Sequence, residues 1–166
     1  MMIMLSILMA STPVPLDLAL AWAEFSRVPL GTAAPSLRSV RTKVEVGTLG
    51  YDRGQRQLDF WLRRTVVTRG VVPTEEVTWA DTRTCPAARP TLASMRNIPV
   101  PKFAPIGSTE GRPIVMDGVA YSLRTYSDQG KLTAETNVGT PLAAWIESAL
   151  KAFDGCWGRS VPARAP

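Results

Sequence analysis

Residues 139–157, GTPLAAWIESALKAFDGCW, are the stretch that decides the fold. Thr140 followed by Pro141 is a typical helix start, because the hydroxyl caps a free backbone N–H and proline has no N–H to lose. Apolar side chains then recur at helical spacing and form one stripe: Leu142, Trp145, Ile146, Ala149, Leu150 and Phe153. Because so apolar a stripe is unfavourable in water, the sequence predicts a C-terminal helix packed on a sheet.

The end of this helix carries a second signal. Glu147 and Lys151 form an i, i+4 pair opposite the apolar stripe, and Gly155 is predicted to end the helix in a left-handed conformation. Cys156 follows at once, and the only other cysteine is Cys85. We expect the two to form a disulfide, which would stabilise the fold by about 4 kcal/mol through the unfolded state.

The N-terminus has the length and apolarity of a secretion signal. Residues 1–23 are predicted to form a signal peptide or N-terminal apolar segment, and Ala21-Trp22-Ala23 fits a small-x-small cleavage pattern. The segment lacks an initial Lys or Arg, and an earlier cut near Ala10 would leave residues 16–25 as a helix of the mature protein. The apolar run is too interrupted to predict a membrane span.

A leader together with two distant cysteines predicts a periplasmic or secreted protein, since disulfides persist in those compartments. The alternative is a buried N-terminal helix with two unpaired thiols. The remaining chain is long enough for one domain, which we place at residues 24–158, followed by a frayed tail at 159–166.

Alternation of apolar and polar residues predicts an antiparallel hairpin. In the first strand, Val44 and Val46 face the core while Arg41, Lys43 and Glu45 face outward. In the second strand the inward set is Leu58, Phe60 and Leu62, and the outward set is Asp59, Trp61 and Arg63. Strict alternation would send Arg64 inward, so we expect either a bulge at residues 63–65 or a strand that runs out past the core there.

The rest of the chain predicts further short elements. They are a third strand at 75–81, a short helix within 85–97, a Pro-rich loop at 98–113, a hairpin turn at Asp117-Gly118, and strands at 119–126 and 131–136. The fold class is therefore α+β. It has a largely antiparallel, five- or six-stranded sheet, the C-terminal helix on one face, and a short helix after the third strand.

The absence of histidine excludes several chemistries. Histidine-based nucleophilic catalysis and histidine-bearing zinc sites are impossible, and two cysteines cannot form an all-cysteine zinc site. No nucleotide-binding motif is present, and we predict no cofactor and no metal. Carboxylate chemistry at Asp81 is the one alternative, because Trp79 on the same face could raise its pKa; capping of the following turn is the simpler role.

The charge pattern points to a binding surface. The net charge of +5 is dispersed along the chain, which disfavours nucleic acid and leaves an anionic envelope component or a protein as partner. Arg41, Lys43, Trp61 and Arg63 are expected together on one exposed sheet face. The sequence therefore predicts an exported, non-enzymatic binding or structural module with a basic outer face. The alternative is a small hydrolase acting through Asp81.

Overall fold

The computed structural model describes residues 21–30, 39–99, 118–127 and 130–163 of the 166-residue chain. The predicted leader up to residue 20, the hairpin turn before Gly118, and most of the Pro-rich loop lie outside the described residues. The elements, in chain order, are β1 Ala21–Leu30, β2 Ser39–Asp52, β3 Gln57–Arg69, β4 Thr74–Asp81, α1 Ala88–Ser94, β5 Gly118–Ser127, β6 Gly130–Asn137 and α2 Pro141–Ala152. Short 3₁₀ turns follow α1 at Met95–Asn97 and α2 at Asp154–Cys156.

The six strands form one antiparallel sheet in the order β4-β3-β2-β1-β5-β6. This arrangement confirms the α+β class and the antiparallel sheet. Three hairpin-connected strands lie on one side of β1, and the β5-β6 hairpin lies on the other. The first described strand is therefore internal to the sheet.

Strand β1 was missed by the sequence interpretation, which predicted a leader up to residue 23 and no strand at Ala21–Leu30. Ala23 and Phe25 are fully buried, while Glu24 points to the opposite face. Apolar and polar residues alternate here as in a half-buried strand. The same residues Ala21–Ala23 also fit the small-x-small pattern of a cleavage site, and this second signal hid the first. Whether a leader precedes β1 stays a prediction.

The register of β2 and β3 confirms the predicted faces and corrects the predicted bulge. Pairing is regular from Trp61 to Arg69, and the irregularity lies in β2 between Thr48 and Gly50. Arg64 does point inward, as strict alternation requires. Its guanidinium lies 4.7 Å from the centre of the Trp157 ring and donates a 3.0 Å hydrogen bond to Thr78 Oγ1. An inward cation is therefore accommodated without a bulge.

The core joins the sheet to both helices. We call the sheet face that carries Phe25, Val44, Leu62 and Leu123 the inner face, because these side chains share one buried cluster with α1 and α2. The opposite face is the outer face. On α2, Trp145 contacts Phe25 edge-to-face with ring centres 5.3 Å apart, and its Nε1 donates to Ser94 Oγ at 2.9 Å.

Helix α2 starts as predicted and ends differently. Thr140 is the N-cap, and its Oγ1 accepts a hydrogen bond from the Ala143 N–H at 3.2 Å. Gly155 is not the left-handed stop that was expected, because the chain continues from Phe153 into the 3₁₀ turn. Glu147 was expected to pair with Lys151, but its carboxylate contacts the sheet. It accepts hydrogen bonds from Tyr121 Oη at 2.6 Å and from Arg27 Nε at 2.8 Å.

The predicted disulfide between Cys85 and Cys156 is present, with Cα atoms 5.4 Å apart. Cys85 is fully buried just before α1, and Cys156 ends the 3₁₀ turn after α2. The bond thus links the segments that carry the two helices. It is compatible with an extracellular or periplasmic location.

Candidate binding site

The structure brings the four predicted binding residues to the outer face. Across β2 and β3, Lys43 is paired with Thr65, Glu45 with Arg63 and Gly47 with Trp61. Directly paired residues share a face, and so do residues two apart on a strand. The sequence therefore predicted correctly which side chains lie on the same side of the sheet.

Trp61 is not the exposed anchor that was expected: only 1% of its surface is accessible. Its indole lies over Gly47, where no side chain competes for the space, and its centre is 6.1 Å from that of Trp79. The physical reason is the small residue across the ladder, which lets the large ring lie flat on the sheet. Trp61 therefore belongs to the packing of the fold and is not available as a surface contact.

Two of the three predicted cations are paired with carboxylates. Lys43 Nζ lies 3.1 Å from Glu45 and 4.0 Å from Glu24, and Arg63 Nε lies 3.0 Å from Glu45. Arg124 Nη1 extends the network, at 3.6 Å from Glu24. These charges largely neutralise one another, so this part of the outer face is not strongly basic.

Arg41 differs from the other cations on this face. It is exposed, and it forms no ion pair within the described ranges. A binding role for Arg41, Lys43 and Arg63 stays a prediction. Only Arg41 retains the free charge on which that prediction relied.

Asp81 caps the turn that follows β4. One carboxylate oxygen accepts from the backbone N–H groups of Arg83 at 2.8 Å and Thr84 at 2.9 Å, and the other lies 2.9 Å from Arg83 Nη2. Burial raises the pKa of Asp81, but the hydrogen bonds from Arg83 and Thr84 and the Arg83 charge outweigh it, so the pKa is lowered. A general acid needs the opposite shift. The geometry therefore gives Asp81 a structural role.

A cavity of about 730 Å³ lies at the β2–β3 turn, where Tyr51, Asp52, Asp59 and Arg83 are among the lining residues. Asp59 is held by Arg89 Nη2 at 2.8 Å and by Thr82 Oγ1 at 3.0 Å. Because its carboxylate already has both a cation and a hydroxyl partner, it is poorly placed to act as a free base. Asp81 is not among the residues that line this cavity, so the cavity does not place Asp81 beside a second carboxylate.

A second, more apolar cavity lies at the inner face of the sheet. A cavity of about 640 Å³ opens between the inner face and the helical segments. Leu92, Met95 and Leu142 line it from the helical side, and Trp22, Leu123 and Leu132 line it from the sheet. We call this the apolar cavity. Its volume and apolar lining are those of small-molecule sites in proteins.

Local structure explains why these side chains converge. Trp22 lies at the irregularity of β1 between Ala21 and Ala23, and its ring meets Phe60 at 5.5 Å. On β5 and β6, Leu123 is opposite Ala134 and Thr125 is opposite Leu132, so all four share the inner face. Helix α2 begins at one end of the cavity, where the Thr140 cap directs Leu142 inward.

The cavity rim carries charge of both signs. Arg96, on the 3₁₀ turn after α1, and Glu135, on β6, are both exposed and both line the cavity. With one cation and one carboxylate, the rim does not select strongly for a charged head group. Any selectivity of the cavity would therefore come from its apolar lining.

Sequence reasoning missed this cavity, although two signals were available. Leu132 alternates with the polar residues Lys131 and Thr133, which marks it as facing the core side. Trp22 was read as part of a cleavage pattern rather than of a strand. The remaining wall, at Met95 and Ile98, depends on where α1 lies against β5 and β6, which no local pattern reveals.

Two further observations concern metal ligands and membrane-spanning helices in the described part of the chain. In the described ranges, no cluster of three or more His, Cys, Asp or Glu side chains is arranged to hold a metal ion. Among the helices described, none is long and apolar enough to cross a membrane.

In comparisons with known proteins, no family model matches the chain, and neither a curated protein nor a solved structure matches it.

Proposed function

We propose that this protein is an exported, non-enzymatic binding module that holds an apolar small molecule in the apolar cavity. The main support for the proposal is the cavity itself, which has a volume of about 640 Å³ and is lined mainly by apolar residues, among them Trp22, Met95 and Leu123. Burying such surface against a ligand favours binding by about 25 cal/mol for each Å² removed from water. Water in contact with such an apolar lining is unfavourable, and a bound apolar molecule would displace it.

In this proposal, α1 and α2 form a layer over the inner face of the sheet. The contacts of Trp145 with Phe25 and of Glu147 with Tyr121 support this placement. The disulfide links the segment before α1 to the turn after α2, so it holds the two helical segments together. Export is proposed on the same disulfide together with the apolar N-terminal sequence.

The experiment is a titration with a dansyl-labelled fatty acid, whose fluorescence rises in apolar surroundings. Thr125 lines the cavity, so Thr125→Trp would place an indole ring in the space that the ligand needs. We expect this variant to bind the probe at least about tenfold more weakly than the wild type. Thr74→Trp is the matched control, because Thr74 is an exposed strand residue at the start of β4, outside the cavity lining.

The titration of the two variants has one result that supports the proposal and one that contradicts it. Loss of binding in Thr125→Trp but not in Thr74→Trp, with both variants folded by circular dichroism, supports the proposal. Equal binding by the wild type and Thr125→Trp would contradict it. A fatty alcohol and the Arg96→Gln variant then test the rim, and we expect only small changes because the apolar body carries the affinity.

Association of the outer face with an anionic envelope component or a protein partner is a second, weaker proposal. It relies on Arg41, which is exposed on the same face as Lys43 and Arg63. Binding of wild-type protein to anionic vesicles should fall as salt rises through about 0.15 M, and Arg41→Glu should weaken it. Unchanged vesicle binding by Arg41→Glu at low salt would remove this candidate.

A further inference from the structure

The two edges of the sheet are not equivalent. At the β4 edge, Trp79 and Gly158 exchange backbone hydrogen bonds of 2.7 and 2.8 Å, so the following chain covers part of that edge. At the other edge, β6 is paired with β5 on one side. On its other side, no strand within the described residues is paired with it. An open strand edge is a template for pairing with another chain.

The register of the β5-β6 hairpin shows which backbone groups of β6 point outward. Ser127 is opposite Gly130, and a two-residue hairpin closes with a hydrogen-bonded pair. Hydrogen-bonded and non-bonded pairs alternate along an antiparallel ladder. The N–H and C=O groups of Lys131, Thr133 and Glu135 therefore point away from β5.

We propose that two copies of this chain associate through β6, in antiparallel pairing about a two-fold axis at Thr133. In this register, Lys131 of each copy is opposite Glu135 of the other. Neither Lys131 nor Glu135 forms an ion pair among the described residues; the Lys131 ammonium lies 5.9 Å from the centre of the Tyr126 ring. The pairing forms two charge-complementary contacts and satisfies the outward backbone groups from 131 to 135.

Other symmetric registers lose these contacts. An axis at Lys131 or Glu135 would place two like charges directly opposite each other, which is destabilising. An axis at Leu132 or Ala134 would separate Lys131 from Glu135. The strand is thus self-complementary about one position, as a two-fold interface requires.

The inner face of β6 supports the same register. Leu132 is 64% exposed on this face, next to Ala134 along the strand and opposite Thr125 on β5. In the proposed dimer, Leu132 of one copy is opposite Ala134 of the other, so association covers an exposed apolar side chain on both sides of the axis.

Analytical ultracentrifugation of the full chain tests the dimer, and charge exchange tests its register. Wild-type protein should sediment as a dimer in a concentration-dependent equilibrium. Lys131→Glu places glutamates opposite each other and should weaken dimerisation by at least about tenfold. Lys151→Glu, the same charge change on an exposed residue of α2, is the matched control and should dimerise like the wild type.

Two rescue experiments distinguish a register from a general charge effect. The double variant Lys131→Glu with Glu135→Lys should recover dimerisation. Mixing the Lys131→Glu chain with a Glu135→Lys chain should give heterodimers in preference to either homodimer, since only the mixed pair places opposite charges together. A monomeric wild type at about 0.1 mM overturns the proposal. Dimerisation unaffected by Lys131→Glu, or no recovery in the double variant, also overturns it.

Discussion

The indole ring of Trp61 on β3 lies directly across from Gly47 on β2 and occupies the space that a side chain at position 47 would need. A Cβ atom at Gly47 would lie 2.7 Å from Trp61 Nε1 and still closer to carbons of the same ring. This contact explains why Trp61 is buried on a strand face where charged residues are its neighbours. It also removes Trp61 from the surface that the sequence suggested for binding.

Gly47→Ala should therefore destabilise the protein. The added methyl group must displace the Trp61 ring, and overpacking of this kind costs about 1–3 kcal/mol. Urea unfolding followed by circular dichroism measures the effect. Gly50→Ala is the matched control, because a Cβ there meets no atom within 4 Å. Equal unfolding free energies for the two variants would show that Trp61 is not held against Gly47.

Lys43→Glu should lower stability, unlike the exposed replacement Arg41→Glu. Lys43 lies between Glu24 and Glu45, so a glutamate at position 43 would put three carboxylates together. We expect a loss of about 1 kcal/mol at low salt, which shrinks as salt screens the repulsion. Thermal unfolding of both variants at low and high salt checks this. A Lys43→Glu variant as stable as Arg41→Glu would mean that the ion pairs of Lys43 with Glu24 and Glu45 contribute nothing to stability.

Asp81→Asn should destabilise the protein at neutral pH by about 1 kcal/mol, because it removes a charged acceptor from the turn after β4. The pKa of Asp81 is lowered from its ordinary value of 3.8, so its carboxylate stabilises the fold fully above that value. The contribution is lost as the pH falls through the lowered pKa. The difference between wild type and Asp81→Asn should thus be constant at neutral pH and shrink below about pH 4.

Chemical unfolding from pH 7 to pH 2.5 follows this difference, with Glu75→Gln as a control at the exposed start of β4. A stability difference that grew as the pH fell would contradict the capping role. It would instead indicate a raised pKa, as a catalytic acid requires.

How far the sequence could predict this structure depends on the range of the interactions involved. Alternation identified the faces of Lys43, Trp61 and Arg63, since the period of a strand is a local property. It did not reveal that Trp61 is buried, because that depends on Gly47 in the neighbouring strand. Thr140 as N-cap was predictable because capping involves only the next few residues.

The cysteines illustrate the same distinction. Counting them was sufficient to predict their pairing, but not that the bond would link the segments carrying α1 and α2. The apolar cavity was beyond local patterns, since its walls come from β1, from the β5-β6 hairpin, and from the helical segments around Met95 and Leu142. Only the strand order and the position of α1 bring these parts together.

Replacing Cys85 and Cys156 together by alanine should lower the unfolding free energy by about 4 kcal/mol, because the bond closes a loop of 71 residues in the unfolded chain. Denaturant unfolding of the double variant measures this. Protein from its native compartment, alkylated without reduction, should show both thiols protected by mass spectrometry. Two alkylated cysteines would contradict both the bond and the proposed export.

Methyl NMR of the wild-type protein, titrated with a fatty acid, tests the central claim most directly. The account predicts saturable shifts of the methyl groups that line the apolar cavity, at Leu92, Leu123, Leu132, Leu142 and Ile98. The methyl groups of Leu49, a residue that lines the cavity at the β2–β3 turn, should not shift. No saturable shifts, or shifts at Leu49 without those at Leu92, Leu123 and Leu142, would contradict the account.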